Sequence, residues 1–290
     1  MGASGGSSPP PEAMRRGVSR GVFVATVVIV AVIAVLAGVY VGKTAYSSSG
    51  SSASHYLVVG TNIPFPPFED YNYTSGAYFG FDINFSMLIA SALGRTLVID
   101  NYADFTALLA DVGAGVLDVA ASSITESGAI GAARNATMSF SIPYYNANQA
   151  VLVKSSSSLH CPATGCTVAN LSSLAIGVQT GTSSQSWTQA YLQPNETGGS
   201  VTAYTSVDVE VSALSAGSLD AVIIDTGPAT SIAAGSGGTI VVAGTIITDE
   251  LYGFAVAHGD PEHILPVINS VISQSMSNGT YAKLIKEWFG

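Results

Sequence analysis

Apolar residues in this chain fall into one long run near the N-terminus and many short runs after it. The long run, Gly21 to Gly42 (G-V-F-V-A-T-V-V-I-V-A-V-I-A-V-L-A-G-V-Y-V-G), holds 22 residues without a charge. As a helix it would span roughly 33 Å, enough to cross a bilayer. Arg15, Arg16 and Arg20 precede it and Lys43 follows it, a bias that places Met1 in the cytoplasm and the large C-terminal part outside. A cleaved signal peptide is the competing reading, but its apolar stretch is usually shorter and ends in a small-residue processing site.

Beyond that run the apolar pattern has the periods of short strands and amphipathic helices. Y-L-V-V-G-T at 56–61, D-I-N-F-S-M-L-I-A-S-A-L at 82–93 and T-L-V-I-D at 96–100 alternate as strand, helix and strand, the rhythm of a mainly parallel sheet. In the helical stretch Ile83, Phe85, Leu88, Ile89 and Leu93 recur near a 3.6 period, and Gly94 stands where a C-cap glycine belongs. A second set starts with L-A-I-G-V-Q-T-G-T-S-S at 174–184, runs through V-E-V-S-A-L-S-A-G-S-L-D-A-V-I-I-D at 209–225 and ends in T-I-V-V-A-G at 239–244. Both sets contain a helix, then x-A-G-x-L-D, then a buried strand, which predicts two similar α/β lobes of ordinary domain size. Residues 1–20 are rich in Gly, Ser and Pro, and Ser47 to Ser54 is nearly pure Ser, Gly and Ala, so both read as flexible tethers with folding from about Tyr56.

Composition narrows the class. The 290 residues are 48% hydrophobic and 10% charged with a formal net charge of -10, which predicts a packed chain whose field repels nucleic acid. Six N-x-S/T sequons, at Asn72, Asn84, Asn135, Asn170, Asn195 and Asn278, fit an exported glycoprotein. Cys161 and Cys166, the chain's two cysteines, read as a small disulfide loop; a zinc knuckle would need a second ligand pair, and the sequence has none. Leu36 to Val39 (L-A-G-V) has the form of a lipoprotein processing box with valine in place of the modified cysteine, so anchoring falls to the apolar run itself.

An ordered set of motifs resembles the family 3 extracellular solute-binding proteins, which feed amino acids to ATP-binding-cassette (ABC) importers. The landmarks are G-T-N-I-P-F-P-P-F-E at 60–69, G-F-D-I-N at 80–84, A-S-S-I-T-E at 121–126, F-S-I-P-Y-Y at 140–145 and G-V-Q-T-G-T at 177–182. They continue with L-D-A-V-I-I-D-T at 219–226, L-Y-G-F-A-V at 251–256 and N-G-T-Y-A-K-L-I-K-E-W-F-G at 278–290. The resemblance implies a two-lobed, type II periplasmic-binding-protein-like fold with a hinge, preceded here by one transmembrane helix. It implies that the chain crosses between lobes near Asn146 to Val151 and returns near Thr248 to Tyr252. The expected organisation is 1–20 cytoplasmic segment, 21–42 anchor, 43–55 linker, 56–147 with 252–290 first lobe and 148–251 second lobe.

A free amino acid presents a carboxylate, an ammonium and a side chain, so a dry cleft must supply a fork donor, an acceptor and a packing surface. Only Arg95 and Arg134 remain after His55, and Arg95 follows a helix end and reads as a solvated charge, which leaves Arg134 as the fork donor. Relatives place this arginine closer to the hydroxyl aligned with Thr125; here it lies nine residues on, an excess of about one helical turn. Ser122, Ser123 and Thr125 follow a buried strand, Asp225 ends the matching strand with the ammonium contact implied by the resemblance, and Thr182 and Ser183 open a helix whose N–H groups suit a carboxylate. A phosphate loop at that turn lacks the required lysine. Phe65 and Phe105 match the family's aromatic walls, Asn62 stands where many relatives carry aspartate, and Gln179 faces the pocket in the alignment. Asp104 and Glu69 flank the walls; turned inward, either would convert a neutral pocket to one for cations.

The expected protein is therefore an extracytoplasmic binding component, single-pass through 21–42, that takes a free, neutral polar amino acid and docks on ABC permease subunits, without metal or cofactor. The rivals are a sensor or accessory receptor of the same fold and a dehydratase-type enzyme, which would need a general acid in the cleft.

Overall fold

The computed structural model describes residues 55–290. The expected cytoplasmic segment, the anchor at 21–42 and nearly all of the linker lie outside the described residues. Among the described residues no helix is long and apolar enough to cross a membrane.

The first stretch carries β1 (Tyr56–Thr61), β2 (Asp70–Asn72), β3 (Ala77–Phe79), α1 (Phe81–Leu93), β4 (Thr96–Asn101), α2 (Phe105–Gly113), β5 (Val119–Ala120), α3 (Gly128–Arg134) and β6 (Met138–Phe140). The middle stretch carries β7 (Tyr145–Lys154), α4 (Val168–Leu171), β8 (Ala175–Gln179), α5 (Ser183–Trp187), β9 (Ser200–Tyr204), α6 (Val207–Ala216), β10 (Ala221–Asp225), α7 (Thr226–Gly235) and β11 (Ile240–Tyr252). β12 (Ala255–Ala257), α8 (Leu265–Asn278) and α9 (Thr280–Phe289) complete the chain.

Two five-stranded sheets result, ordered β4-β1-β5-β12-β6 and β11-β7-β10-β8-β9. β1 lies between β4 and β5 and is parallel to both, and Leu57 to Thr61 are all buried, as the unbroken apolar run demands of a strand covered on both faces. Gly94 ends α1 at φ 63, where its N–H bonds to the Ser91 carbonyl and the next N–H to that of Ala90. The predicted helix after Thr182 is interrupted: α5 covers five residues and then widens into a π-helical turn over Thr188–Leu192.

The chain passes between the sheets twice, through β7 and β11. These strands pair antiparallel from Ile240↔Lys154 to Tyr252↔Tyr145, with a register shift between Ile246 and Glu250. Asn148 fills that irregularity, its Oδ1 accepting from Thr248 N at 2.8 Å and Asp249 N at 2.9 Å. Just beyond it Tyr145 and Tyr252 enter an aromatic cluster of the first lobe, with Phe68 at 4.9 Å and 5.4 Å and Phe289 at 5.0 Å from Tyr145. Both strand ends are thereby packed against β1's loop and the C-terminal helix.

Cys161 and Cys166 are disulfide-bonded. Their loop lies along β11, Cys161 N donating to Ala243 O at 3.0 Å and Cys166 N to Thr245 O at 2.6 Å. Of the sequons, Asn84 has its side chain committed within the fold, accepting from Trp288 Nε1 at 2.9 Å.

Gly80 opens α1 at φ 130, and a Cβ there would overlap the Phe68 carbonyl and sit 2.9 Å from Glu69 N. Gly80→Ala is expected to destabilise the fold by about 2 kcal/mol or more through backbone strain. Thermal unfolding measures this, and an unchanged midpoint would show that the loop relaxes freely.

Candidate ligand-binding cleft

The C-terminal ends of β1 and β5 face those of β8 and β10 across a cleft, the place where open parallel sheets present exposed backbone groups. A narrow cleft, partly open to solvent, lies between the lobes there. It is lined by Asn62, Phe65, Phe105, Ser122, Ser123, Thr125 and Arg134 from one side and Gln179, Thr182, Ser183 and Asp225 from the other. The fold thus brings together all the positions singled out from the sequence. Asp225 reaches the cleft from the C-terminal end of β10, a strand whose preceding residues are buried on both faces, Ile224 in one core cluster and Ile223 in the other.

Arg134 ends α3, and its side chain lines the cleft. It is 7% exposed, and Nη1 donates to Thr125 O at 2.7 Å while Nη2 reaches across to Gly181 O at 2.9 Å. Its guanidinium carbon lies 5.6 Å from the centre of the Phe105 ring. Burial pulls its pKa down to about 10, opposed by Glu250 and Asp225, so it stays protonated at neutral pH. Gly181 permits the approach, since a Cβ there would lie 2.6 Å from Thr106 Cγ2. Arg95, expected as a solvated charge, instead pairs with Glu262 at 3.3 Å because the chain folds back alongside the end of α1.

Opposite Arg134 lies a cluster that the sequence reading missed in part. Gln149 Nε2, on β7, contacts Asp225 Oδ1 at 2.6 Å, Glu250 Oε1 at 2.8 Å and Ser183 Oγ at 3.2 Å. Ser184 Oγ donates to Gln149 Oε1 at 2.6 Å, and Thr125 Oγ1 donates to Glu250 Oε2 at 2.9 Å. Burial, then Glu250, raises the Asp225 carboxyl well above its usual range, which leaves it demanding a cationic partner if it is to ionise. Nothing in T-D-E-L-Y or N-A-N-Q-A-V marks Glu250 or Gln149 as buried; only the pairing of β7 with β11 brings them together.

Beneath the serines lies a second pair of carboxyls. Ser122 Oγ donates to Glu69 Oε1 at 3.0 Å and accepts from Asn62 N at 3.1 Å. Asp82 Oδ2 accepts from Ser123 N at 2.9 Å and from Tyr144 Oη at 2.7 Å, while Asp82 Oδ1 is buried without a partner. Burial pushes Asp82 up to about 7 and, together with Asp82 itself, holds Glu69 well above its usual range. Ser123 adopts φ 49, so the pair holds a left-handed residue at the cleft wall. Neither flanking acid enters the pocket: Glu69 is fully buried behind Ser122, and Asp104 caps α2, accepting from Thr106 N at 2.7 Å and Ala107 N at 3.2 Å.

At the remaining end of the cleft Phe65 and Phe105 supply apolar walls and two amides meet between the lobes. Gln179 Nε2 donates to Asn62 Oδ1 at 2.8 Å, and Asn62 Nδ2 donates to Tyr102 O at 2.7 Å. Thr182 caps α5, accepting from Gln185 N at 3.3 Å and donating to Gln179 O at 2.7 Å.

Two α/β lobes joined by paired strands, with a charged and hydroxyl-lined cleft between them, define a two-lobed solute-binding protein. Residues 57–290 match the bacterial extracellular solute-binding proteins, family 3, and the chain belongs to that family. It is 25% identical over 244 residues to ABC transporter arginine-binding protein 1 of Escherichia coli, covering 83% of this chain and 93% of that one. It is 26% identical over 238 residues to the histidine-binding periplasmic protein of Salmonella typhimurium, covering 80% and 86%. An ancestral arginine-binding protein solved with arginine superposes with a TM-score of 0.72 at 27% identity, over 82% of this chain and 99% of that chain. The same description solved with glutamine gives 0.72 and 27%, over 82% and 100%.

The Glu69 and Asp82 carboxyls set a pH dependence. Both titrate higher in the fold than the values near 4 of an unfolded chain, so folding takes up protons. Their favourable contribution is complete below about pH 4 and is lost as pH rises toward about 7. Stability is expected to fall by on the order of 2–4 kcal/mol across that window, and Asp82→Asn to flatten the fall. Denaturant titrations of both proteins between pH 5 and 8 test this; an undiminished slope in Asp82→Asn would assign it to other groups.

Proposed function

We propose that this chain is the extracytoplasmic binding component of an ABC importer and that its cleft takes a free amino acid with a neutral, polar side chain. The observation that carries the reading is a buried guanidinium, Arg134, and a buried carboxyl, Asp225, on opposite walls of one small cleft. A zwitterion placed there gives each its complement, carboxylate to Arg134 and ammonium to Asp225, and so favours closure of the lobes. The hydroxyls of Ser122, Ser123, Thr125, Thr182 and Ser183 supply the remaining contacts. The side-chain end offers the Asn62 and Gln179 amides between Phe65 and Phe105, dipoles and apolar surface suited to a side chain without charge.

A cationic amino acid is the second reading. It is favoured by the relatives named for arginine and histidine, and by Asp225 and Glu250 standing as two carboxyls to one buried guanidinium. In either case the protein acts by binding and release rather than catalysis. The apolar run at 21–42 is proposed as the membrane anchor that keeps the lobes near the permease.

Calorimetric titration of the purified protein with glutamine, arginine, histidine and glutamate decides between these readings. Glutamine is expected to bind tightest; tightest binding of arginine would select the second reading, and binding of none would overturn both. Arg134→Ala and Asp225→Asn should each weaken the tightest ligand by about 2–5 kcal/mol, roughly thirty-fold to several-thousand-fold. Unchanged affinity in Arg134→Ala would remove that residue from the site.

A further inference from the structure

We propose that Glu250 is a positioning residue that sets the hydrogen-bond polarity of the cleft, making Thr125 an acceptor for the ligand's ammonium and leaving Ser183 a donor for its carboxylate. This rests on the free-amino-acid reading above. Glu250 does not line the cleft; it lies behind it on β11, directly after the register shift and opposite Ala147. Its influence passes through the two groups its oxygens hold.

The first is Thr125. A threonine hydroxyl has one hydrogen, and here that hydrogen goes to Glu250 Oε2 at 2.9 Å. Toward the cleft, Thr125 Oγ1 therefore offers lone pairs only. Its backbone carbonyl is occupied by Arg134 at 2.7 Å. The Thr125 hydroxyl can thus accept from an ammonium and cannot donate to a carboxylate.

The second is Gln149. Ser184 Oγ, donating to Gln149 Oε1 at 2.6 Å, fixes which way that amide faces, so its nitrogen points at Asp225, Glu250 and Ser183. Two N–H groups meet three acceptors, and the shorter contacts, 2.6 Å and 2.8 Å, go to the carboxyls. Ser183 Oγ, at 3.2 Å, is at most an acceptor of this amide and keeps its own hydrogen for the cleft. Across the cleft Thr125 and, once an ammonium ionises it, Asp225 then present acceptors, while Ser183 and Arg134 present donors. The two ends of an amino acid are told apart by hydrogen direction as well as by charge. Replacing this carboxyl with an amide leaves one oxygen for two donors: with its oxygen kept on Gln149 Nε2, the new nitrogen faces Thr125 Oγ1 and frees the threonine hydrogen for the cleft, whereas the opposite orientation would set two amide nitrogens against each other.

The experiment compares wild type with Glu250→Gln by calorimetry, using two probe pairs: glutamine with glutaramate, which lacks the amino group, and arginine with its deamino analogue. For the pair whose amino acid binds wild type more tightly, the preference for the amino acid over its deamino analogue is expected to fall about ten- to hundred-fold in Glu250→Gln. The deamino analogue's own affinity should change by less than about three-fold, well under the effect of losing one charged hydrogen bond. Equal weakening of both probes would reveal a merely structural role and overturn the proposal, as would an unchanged preference. Thr125→Val, which keeps Glu250, should reduce the preference similarly; its failure to do so overturns the proposal even if Glu250→Gln does not fold. Binding of no amino acid by wild type would overturn the parent reading and this one together, whereas binding with the preference intact in both variants would overturn this one alone.

Discussion

Every covalent link between the two sheets runs through β7 and β11, and their antiparallel pairing is the constraint on which the rest depends. The pairing places residues from distant parts of the sequence opposite each other at the back of the cleft. Gln149 and Glu250 sit on the two strands themselves, while Thr125 reaches them from one lobe and Ser183, Ser184 and Asp225 from the other. The connection that lets the lobes exist as separate bodies is also the wall that holds the polar groups of the site. Asn148, capping the irregular turn at Thr248 and Asp249, keeps those strands in register where they change partners.

Charge in this molecule is unevenly shared between acids and bases, and the site follows from that imbalance. Arg134 is buried against two carbonyl oxygens rather than a carboxylate, and among the described residues the ion pair is that of Arg95 with Glu262, away from the cleft. Glu69, Asp82, Glu210 and Asp225 are all buried, and burial raises each of them, so protonation substitutes for the missing cations. A carboxyl kept neutral in this way can be held ready for a cation at little cost until one arrives. Asp225, in contact with the cleft, is the member of that set positioned to use it.

Much of this was legible from residues alone because local rules agree with the fold. The unbroken run at β1 requires burial on both faces, Gly94 supplies the left-handed cap, and the acid ending A-V-I-I-D stands at the C-terminal end of a buried strand, where such sheets open onto a cleft. Arg134 was readable too, as the arginine left once Arg95 is assigned to the end of a helix. Gln149, Glu250 and the Asp82–Tyr144 contact were not, because each depends on which strands pair and on how deeply a loop is covered. Arg95 was misjudged for the same reason: the residue that neutralises it is 167 positions away. The helix after Thr182 ran differently because periodicity does not distinguish an α turn from the wider turn that follows Trp187.

β11 is the outermost strand of its sheet, and an exposed strand edge invites pairing with a foreign chain. The Cys161–Cys166 loop lies along it and spends its own amides on the Ala243 and Thr245 carbonyls, with Gly244 leaving just enough room for the sulfurs. The small covalent ring is thus a selvedge, finishing the sheet's border where its strand edge would otherwise lie open to intermolecular contact.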